Sequence, residues 1–230
     1  MSYKTILLVL VSLAIVSCKQ QTENTAVDKT VNENNHDIDH EKAQAHWTYD
    51  GETGPEHWVE IEKQSDCDGK KQSPINIIDV DAVDDGSLQP LNIYYSKFVK
   101  IHDVTNNGHT IQYNFERGDY IDLSNEIYEL KQIHFHEASE HTLNGVRYPV
   151  EMHMVHVAAN NKIAVLAVMV QEGKSSEPFI FLENYLPVQI GETKLINSTF
   201  DVNLNLPENN EYYTYSGSLT TPPCTESVSW

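Results

Sequence analysis

The chain has 230 residues, with 15 Lys and Arg against 34 Asp and Glu, for a formal net charge of −19. That length supports one sizeable domain plus appendages. So acidic a surface argues against nucleic acid and against anionic lipid surfaces as partners, since both would repel it.

In chain order, Met1-Ser2-Tyr3-Lys4 is a short basic start. Residues 5–16 form an apolar run too short to span a bilayer, so they read as a signal-peptide core. The run ends Ile15-Val16-Ser17-Cys18, which resembles the bacterial lipobox, whose Cys becomes the lipidated first residue of the mature chain. The expectation is a signal peptide over residues 1–17, a lipid anchor to the membrane at Cys18, and a place on the bacterial cell envelope, periplasmic or surface-exposed. Residues 18–45 are rich in Gln, Asn, Thr, Glu and Asp and lack the apolar surface needed to order themselves. They read as a disordered tether, with the globular domain over residues 46–230. The chain has three Cys. With Cys18 lipidated, Cys67 and Cys224 stand in an oxidising compartment, either bridged or as two free buried thiols.

The domain opens on His46-Trp47-Thr48-Tyr49 and Gly54-Pro55-Glu56-His57-Trp58, aromatics between turn residues that predict an irregular packed segment. Strand signals then dominate: residues 91–95, 109–115, 120–123 and 127–136. Residues 150–158 and 163–170 are near-continuous apolar runs, expected of strands covered on both faces. One helix is predicted over residues 179–186, capped by Ser175-Ser176, with Pro178 in its first turn and Pro187 beyond its end. Residues 201–206, 212–215 and 227–230 read as extended. The fold class is mainly β, with one large sheet and few helices.

Two strands carry the chemistry. In Gln132-Ile133-His134-Phe135-His136, alternation puts both imidazoles on one face, and Ile133 and Phe135 on the other. In Glu151-Met152-His153-Met154-Val155, Glu151, His153 and Val155 share a face. The polar connection between them has Asn144-Gly145 as its turn signal. If the strands pair, three imidazoles converge, leaving one tetrahedral position of a zinc ion open, as in a catalytic site. Gln132 and Glu151, each two residues before a His on its face, suit the acceptors that orient metal-bound imidazoles. Without a pairing partner, each His is an ordinary strand residue.

Those two stretches, with Ser139-Glu140-His141 and Ser216-Gly217-Ser218-Leu219-Thr220-Thr221-Pro222-Pro223-Cys224, together resemble the α-class carbonic anhydrases. Gln72-Ser73-Pro74-Ile75-Asn76-Ile77 and Asn107-Gly108-His109 match the same family in the same order, so the resemblance covers roughly residues 46–230. It implies a large twisted, mostly antiparallel central sheet with few short helices. It also implies reversible hydration of carbon dioxide to bicarbonate and a proton by zinc-bound hydroxide at the floor of a conical cleft. By position His134, His136 and His153 resemble the zinc ligands, and Gln132 and Glu151 the acceptors behind them. Thr220 resembles the hydroxyl that receives a hydrogen bond from the hydroxide, Glu140 the carboxylate that orients Thr220, and His109 the proton shuttle. Val155, Val165 and Leu219, with Thr221 beside them, resemble the pocket for carbon dioxide. Cys67 and Cys224 match the disulfide of exported members, and in the chain-entropy view a loop that long is worth about 4–5 kcal/mol.

One feature departs from the family pattern. Trp230 falls inside what the family pattern makes a strand, whereas members continue for some tens of residues, so the C-terminal part of the domain is expected to be missing. The alternative function is a non-catalytic carbonic-anhydrase-like binding module on the cell envelope.

Overall fold

The computed structural model describes residues 46–174, 176–186, 188–209 and 211–230. The expected signal peptide, the lipid at Cys18 and the tether lie outside the described residues, as do the helix-flanking Ser175 and Pro187. Among the described residues no helix is long and apolar enough to cross a membrane.

The aromatic opening segment packs as expected, around short 3-10 turns and one turn of helix, α1 (Trp58–Ile61). The strands follow in order: β1 (Asn76–Ile77), β2 (Asn92–Tyr94), β3 (Val99–Asn106), β4 (Ile111–Phe115), β5 (Tyr120–Leu123), β6 (Glu126–His136), β7 (Thr142–Leu143), β8 (Val146–Arg147), β9 (Val150–Ala158) and β10 (Ile163–Val170). Then come α2 (Glu177–Glu183), β11 (Thr193–Phe200), β12 (Ser216–Ser218) and β13 (Glu226–Ser229). Ten strands form one sheet, with the order β11-β3-β4-β6-β9-β10-β13-β12 and with β5 and β2 added beside β6. Its pairings are antiparallel except β10 with β13. A separate three-stranded sheet joins β1, β7 and β8.

The apolar alternation of β6 and β9 builds the core. Ile133, Met152 and Met154 are fully buried with Ile101, Val104 and Leu130. On this face lies α2, tied down by the Tyr113 hydroxyl donating to the Leu182 carbonyl at 2.9 Å. The helix starts at Glu177 and ends at Glu183, shorter than predicted, and the Ser176 side chain makes no cap bond. Beyond it the chain tightens into i→i+3 bonds, Asn184 N–H to Phe181 and Tyr185 N–H to Leu182. Asn144-Gly145 turns between β7 and β8 with φ of 50° and 77°, the left-handed pair a two-residue hairpin demands.

Several strand expectations need correction. β3 and β11 are not foreseen at all. The expected strand over 201–206 is a 3-10 turn, Val202–Asn205, because the Asp201 carboxylate accepts from the Asn203 N–H and coils the chain. Residues 212–215 form no strand; the ladder begins at Ser216.

Candidate metal centre and its cleft

Register explains the convergence. His134 pairs with His153 across β6 and β9, and His136 pairs with Glu151. Directly opposed residues share a face at close range, so His134, His136 and His153 crowd one spot. Their rings lie 4.6–5.1 Å apart between centroids, and one nitrogen from each falls within 4.8 Å of the others.

The second nitrogens are already committed. His134 Nδ1 donates to Gln132 Oε1 at 2.8 Å, and His153 Nε2 donates to Glu151 Oε1 at 2.7 Å. These bonds fix the tautomers and leave lone pairs on His134 Nε2 and His153 Nδ1. His136 Nε2 and Glu140 Oε2 are buried without a hydrogen-bond partner. They sit 3.4 Å apart, and Glu140 Oε2 is 3.9 Å from His153 Nδ1. Buried polar atoms with no partner are costly, so three facing nitrogen lone pairs beside a carboxylate oxygen fit a cation.

Electrostatics supports neutral ligands. Burial first, then the neighbouring imidazoles, holds His134 far below its usual value and His136 at about 3. His153 is lowered by burial. Glu151 is raised by burial, but hydrogen bonds from His141 and His153 prevail and hold it well below the carboxylate range. It accepts from the His141 backbone N–H and ring as well as from His153, so one buried carboxylate locks two imidazoles. His141 Nε2 continues to the Tyr215 hydroxyl at 2.6 Å, and Tyr215 to Ser73 Oγ at 2.7 Å. Burial pushes Glu140 up to about 7, while its hydrogen bond with Thr220 pulls the other way.

Thr220 and Thr221 sit in a turn that the chain pins on several sides. Leu219 N–H bonds Thr225 O, and Cys224 N–H bonds Thr221 O. Cys67 and Cys224 form a disulfide with a Cα–Cα distance of 4.9 Å, closing the open alternative of free thiols. A cleft of about 690 Å³ is lined by His136, Glu140, Thr220, His109, Tyr49 and Phe135. Val155 lies two residues beyond His153 on the same face, and Val165 is its cross-strand partner on β10. Leu219 directly precedes Thr220. His109 lines the same cleft as His136: its ring stacks on Trp47 with centroids 3.6 Å apart, and its Nε2 meets His46 Nε2 at 2.9 Å.

Sequence reasoning singles out neither Trp230 nor Tyr215. Trp230 lies 5.0 Å from the His153 ring and 4.7 Å from His141, and its Nε1 donates to Ser218 O. It follows the buried Val228 at strand spacing, and that alternation is the one signal that pointed to it.

Residues 53–230 match the profile of the eukaryotic-type carbonic anhydrases. A carbonic anhydrase of Neisseria gonorrhoeae is 41% identical over 188 residues, spanning 80% of this chain and 72% of the relative, and one of Klebsiella pneumoniae is 40% identical over 80% and 74%. Among solved structures, the α-carbonic anhydrase of Thermovibrio ammonificans in complex with the inhibitor sulfanilamide superposes with a TM-score of 0.76 at 43% identity, covering 81% of this chain and 82% of that one. The sheet, the site and these likenesses agree, and the chain belongs to the eukaryotic-type, or α-class, carbonic anhydrases.

Proposed function

We propose that the chain, a carbonic anhydrase by family, catalyses the reversible hydration of carbon dioxide to bicarbonate and a proton, with one zinc ion held by His134 Nε2, His136 Nε2 and His153 Nδ1. The observation that carries this reading is the set of three neutral imidazoles whose remaining nitrogens face one another within 4.8 Å. A zinc ion so held supplies a Lewis acid that lets water lose a proton near neutral pH. Gln132 and Glu151 keep the imidazoles in the ligating tautomer.

The chain's own groups do the rest. Thr220 donates its hydroxyl proton to Glu140, so its oxygen is left to accept a hydrogen bond from the attacking water. That orients the remaining lone pair of the water towards the wall of Val155, Val165 and Leu219, an apolar surface suited to an apolar substrate, with Thr221 beside it. His109, at the mouth of the cleft, carries the released proton outward. Export and a lipid anchor at Cys18 belong to the same proposal. The disulfide supports it, because such bonds persist in oxidising compartments.

The test is stopped-flow carbon dioxide hydration by the zinc-loaded chain, with and without a sulfonamide, beside His134→Ala. Hydration that is blocked by the sulfonamide and lost with stoichiometric zinc in the variant is the expected result. A folded, zinc-bearing chain without turnover would overturn the catalytic reading. Unchanged activity in His134→Ala would overturn the ligand set.

A further inference from the structure

The arm that opens the domain lies across the cleft mouth, and its packing is specific. Trp47 is buried, packs edge-on against Trp58 at 5.3 Å, and shares a cluster with the Cys67–Cys224 disulfide. Trp58 Nε1 donates to the Thr48 carbonyl at 2.9 Å, and Thr48 N–H to Thr53 O at 2.8 Å. The arm is thereby anchored through both backbone groups of Thr48, directly after Trp47. One face of Trp47 carries the His109 ring, nearly parallel at an 11° interplanar angle. His46, the residue before Trp47, then reaches the far edge of that ring, Nε2 to Nε2 at 2.9 Å, with ring centroids 5.0 Å apart. His46 is exposed and His109 half-buried.

Nitrogens so placed point their hydrogen-bonding directions at each other. One must donate and the other accept, so the contact holds one proton between two chemically identical bases. We infer that His46 is the second station of the proton exit path, receiving from His109 the proton that leaves the cleft. The inference rests on the reading of His109 as the group that exports the proton. In the step, His109 takes a proton from cleft water at Nδ1 and gives its Nε2 proton to His46 Nε2. His46 then releases one proton from Nδ1 to solvent or buffer. One proton enters and one leaves, and rotation of the rings restores the starting tautomers.

Equal intrinsic basicity makes the transfer nearly balanced. Partial burial, and then the neighbouring His46, holds His109 below its ordinary value, which favours giving the proton up. Besides His109 and the ligand His136, the ionisable groups lining the same cleft are Tyr49, Asp50, Glu137, Glu140 and Arg147. Tyr49 stands edge-on to the His109 ring at 6.2 Å, and burial with the nearby Glu140 pushes it up to about 12, so it stays a neutral phenol.

The experiment compares His46→Ala, His46→Gln and His109→Ala in the full zinc-loaded chain, by stopped-flow hydration in dilute and concentrated buffer. In dilute buffer kcat of both His46 variants should fall by up to about tenfold, less than the roughly 10²-fold or more typical of a primary proton-transfer group, since His109 can still release to water. The value of kcat/KM for carbon dioxide should hold, and added imidazole should restore kcat. Gln keeps a hydrogen bond to His109 but cannot carry a proton through, so it separates relay from positioning. A wild-type kcat in His46→Gln with a loss in His46→Ala would reduce His46 to a prop and overturn the relay. No loss in either, with a loss in His109→Ala, would overturn the relay and leave the shuttle standing. No loss in His109→Ala would remove both.

Discussion

The floor of the site and its flank are built to different standards. On the floor, β6 and β9 pair from Tyr128↔Ala158 to His136↔Glu151, and β9 and β10 pair from Val157↔Ile163 to Val150↔Val170. The side chains between them are Ile133, Met152, Met154 and the ligand imidazoles, each ligand but His136 already hydrogen-bonded. On the flank, β10 meets β13 at Ala164↔Ser229 alone among the described residues. Beside it opens an apolar cavity of about 540 Å³, bordered by Leu91, Leu123, Leu166, Val168, Tyr212 and Trp230. The ligands thus stand where register, packing and hydrogen bonds agree, while the seam between β10 and β13 stands where few restraints overlap. Precision is concentrated where an error of one residue in register would turn every imidazole away from its neighbours.

The comparison can be broken by two truncations. Met154→Ala, at a fully buried position between Ile133 and Leu166, should cost about 2–5 kcal/mol in urea unfolding, because its surroundings cannot collapse. Val228→Ala on β13 should cost about 1–2 kcal/mol, little more than the lost transfer energy. Equal costs would mean that the flank is as tightly determined as the floor. As large as the loss at Met154, Cys67→Ser should cost about 2–5 kcal/mol and loosen the Thr220 turn, seen as lower kcat/KM with zinc retained. Gln132→Ala sharpens the floor itself. It should weaken zinc about 10–100-fold by competition against a chelator while leaving unfolding of the metal-free chain nearly unchanged, since it removes an orienting acceptor and no packing.

How much of this was legible varies by element and for physical reasons. β9 and β10 match the predicted 150–158 and 163–170 to the residue, because burial on both faces leaves a continuous apolar run. The imidazole pairing followed from alternation, and Gln132 and Glu151 from the same period. β3 escaped because Asp103 takes the buried position that follows Val99 and Ile101 in its alternation. Asp103 is buried, yet it is satisfied by His102, Asn114 and Thr105, a contact set no local pattern announces. β11 escaped because Leu195 is exposed while Ile196 is buried, and a register shift between Leu195 and Ser198 breaks the period. The His46–His109 contact joins residues 63 apart, and it depends on where the Trp47 arm is anchored. It therefore belongs to tertiary packing and left no trace in local sequence.

The smallest expected effect concerns a floor residue that plays no part in the metal site. His156 on β9 is fully buried, and its Nε2 meets the Tyr95 hydroxyl at 2.5 Å. Burial raises Tyr95 far above its ordinary value, so it remains a phenol and donates to a neutral imidazole. Burial lowers His156 from 6.5 to about 4. Between those two values the unfolded chain binds the extra proton, so the contribution of this group to stability is whole above pH 6.5 and is lost as pH falls through about 4. His156→Gln should therefore lower the urea midpoint at neutral pH and yet flatten its decline between pH 7 and pH 5. The difference between variant and parent isolates this group from Glu151 and the ligand imidazoles, which push the acid limb the same way. A variant whose acid limb runs parallel to that of the parent would mean that His156 titrates alike in both states. The close packing claimed for the floor would then not reach to β9's far end.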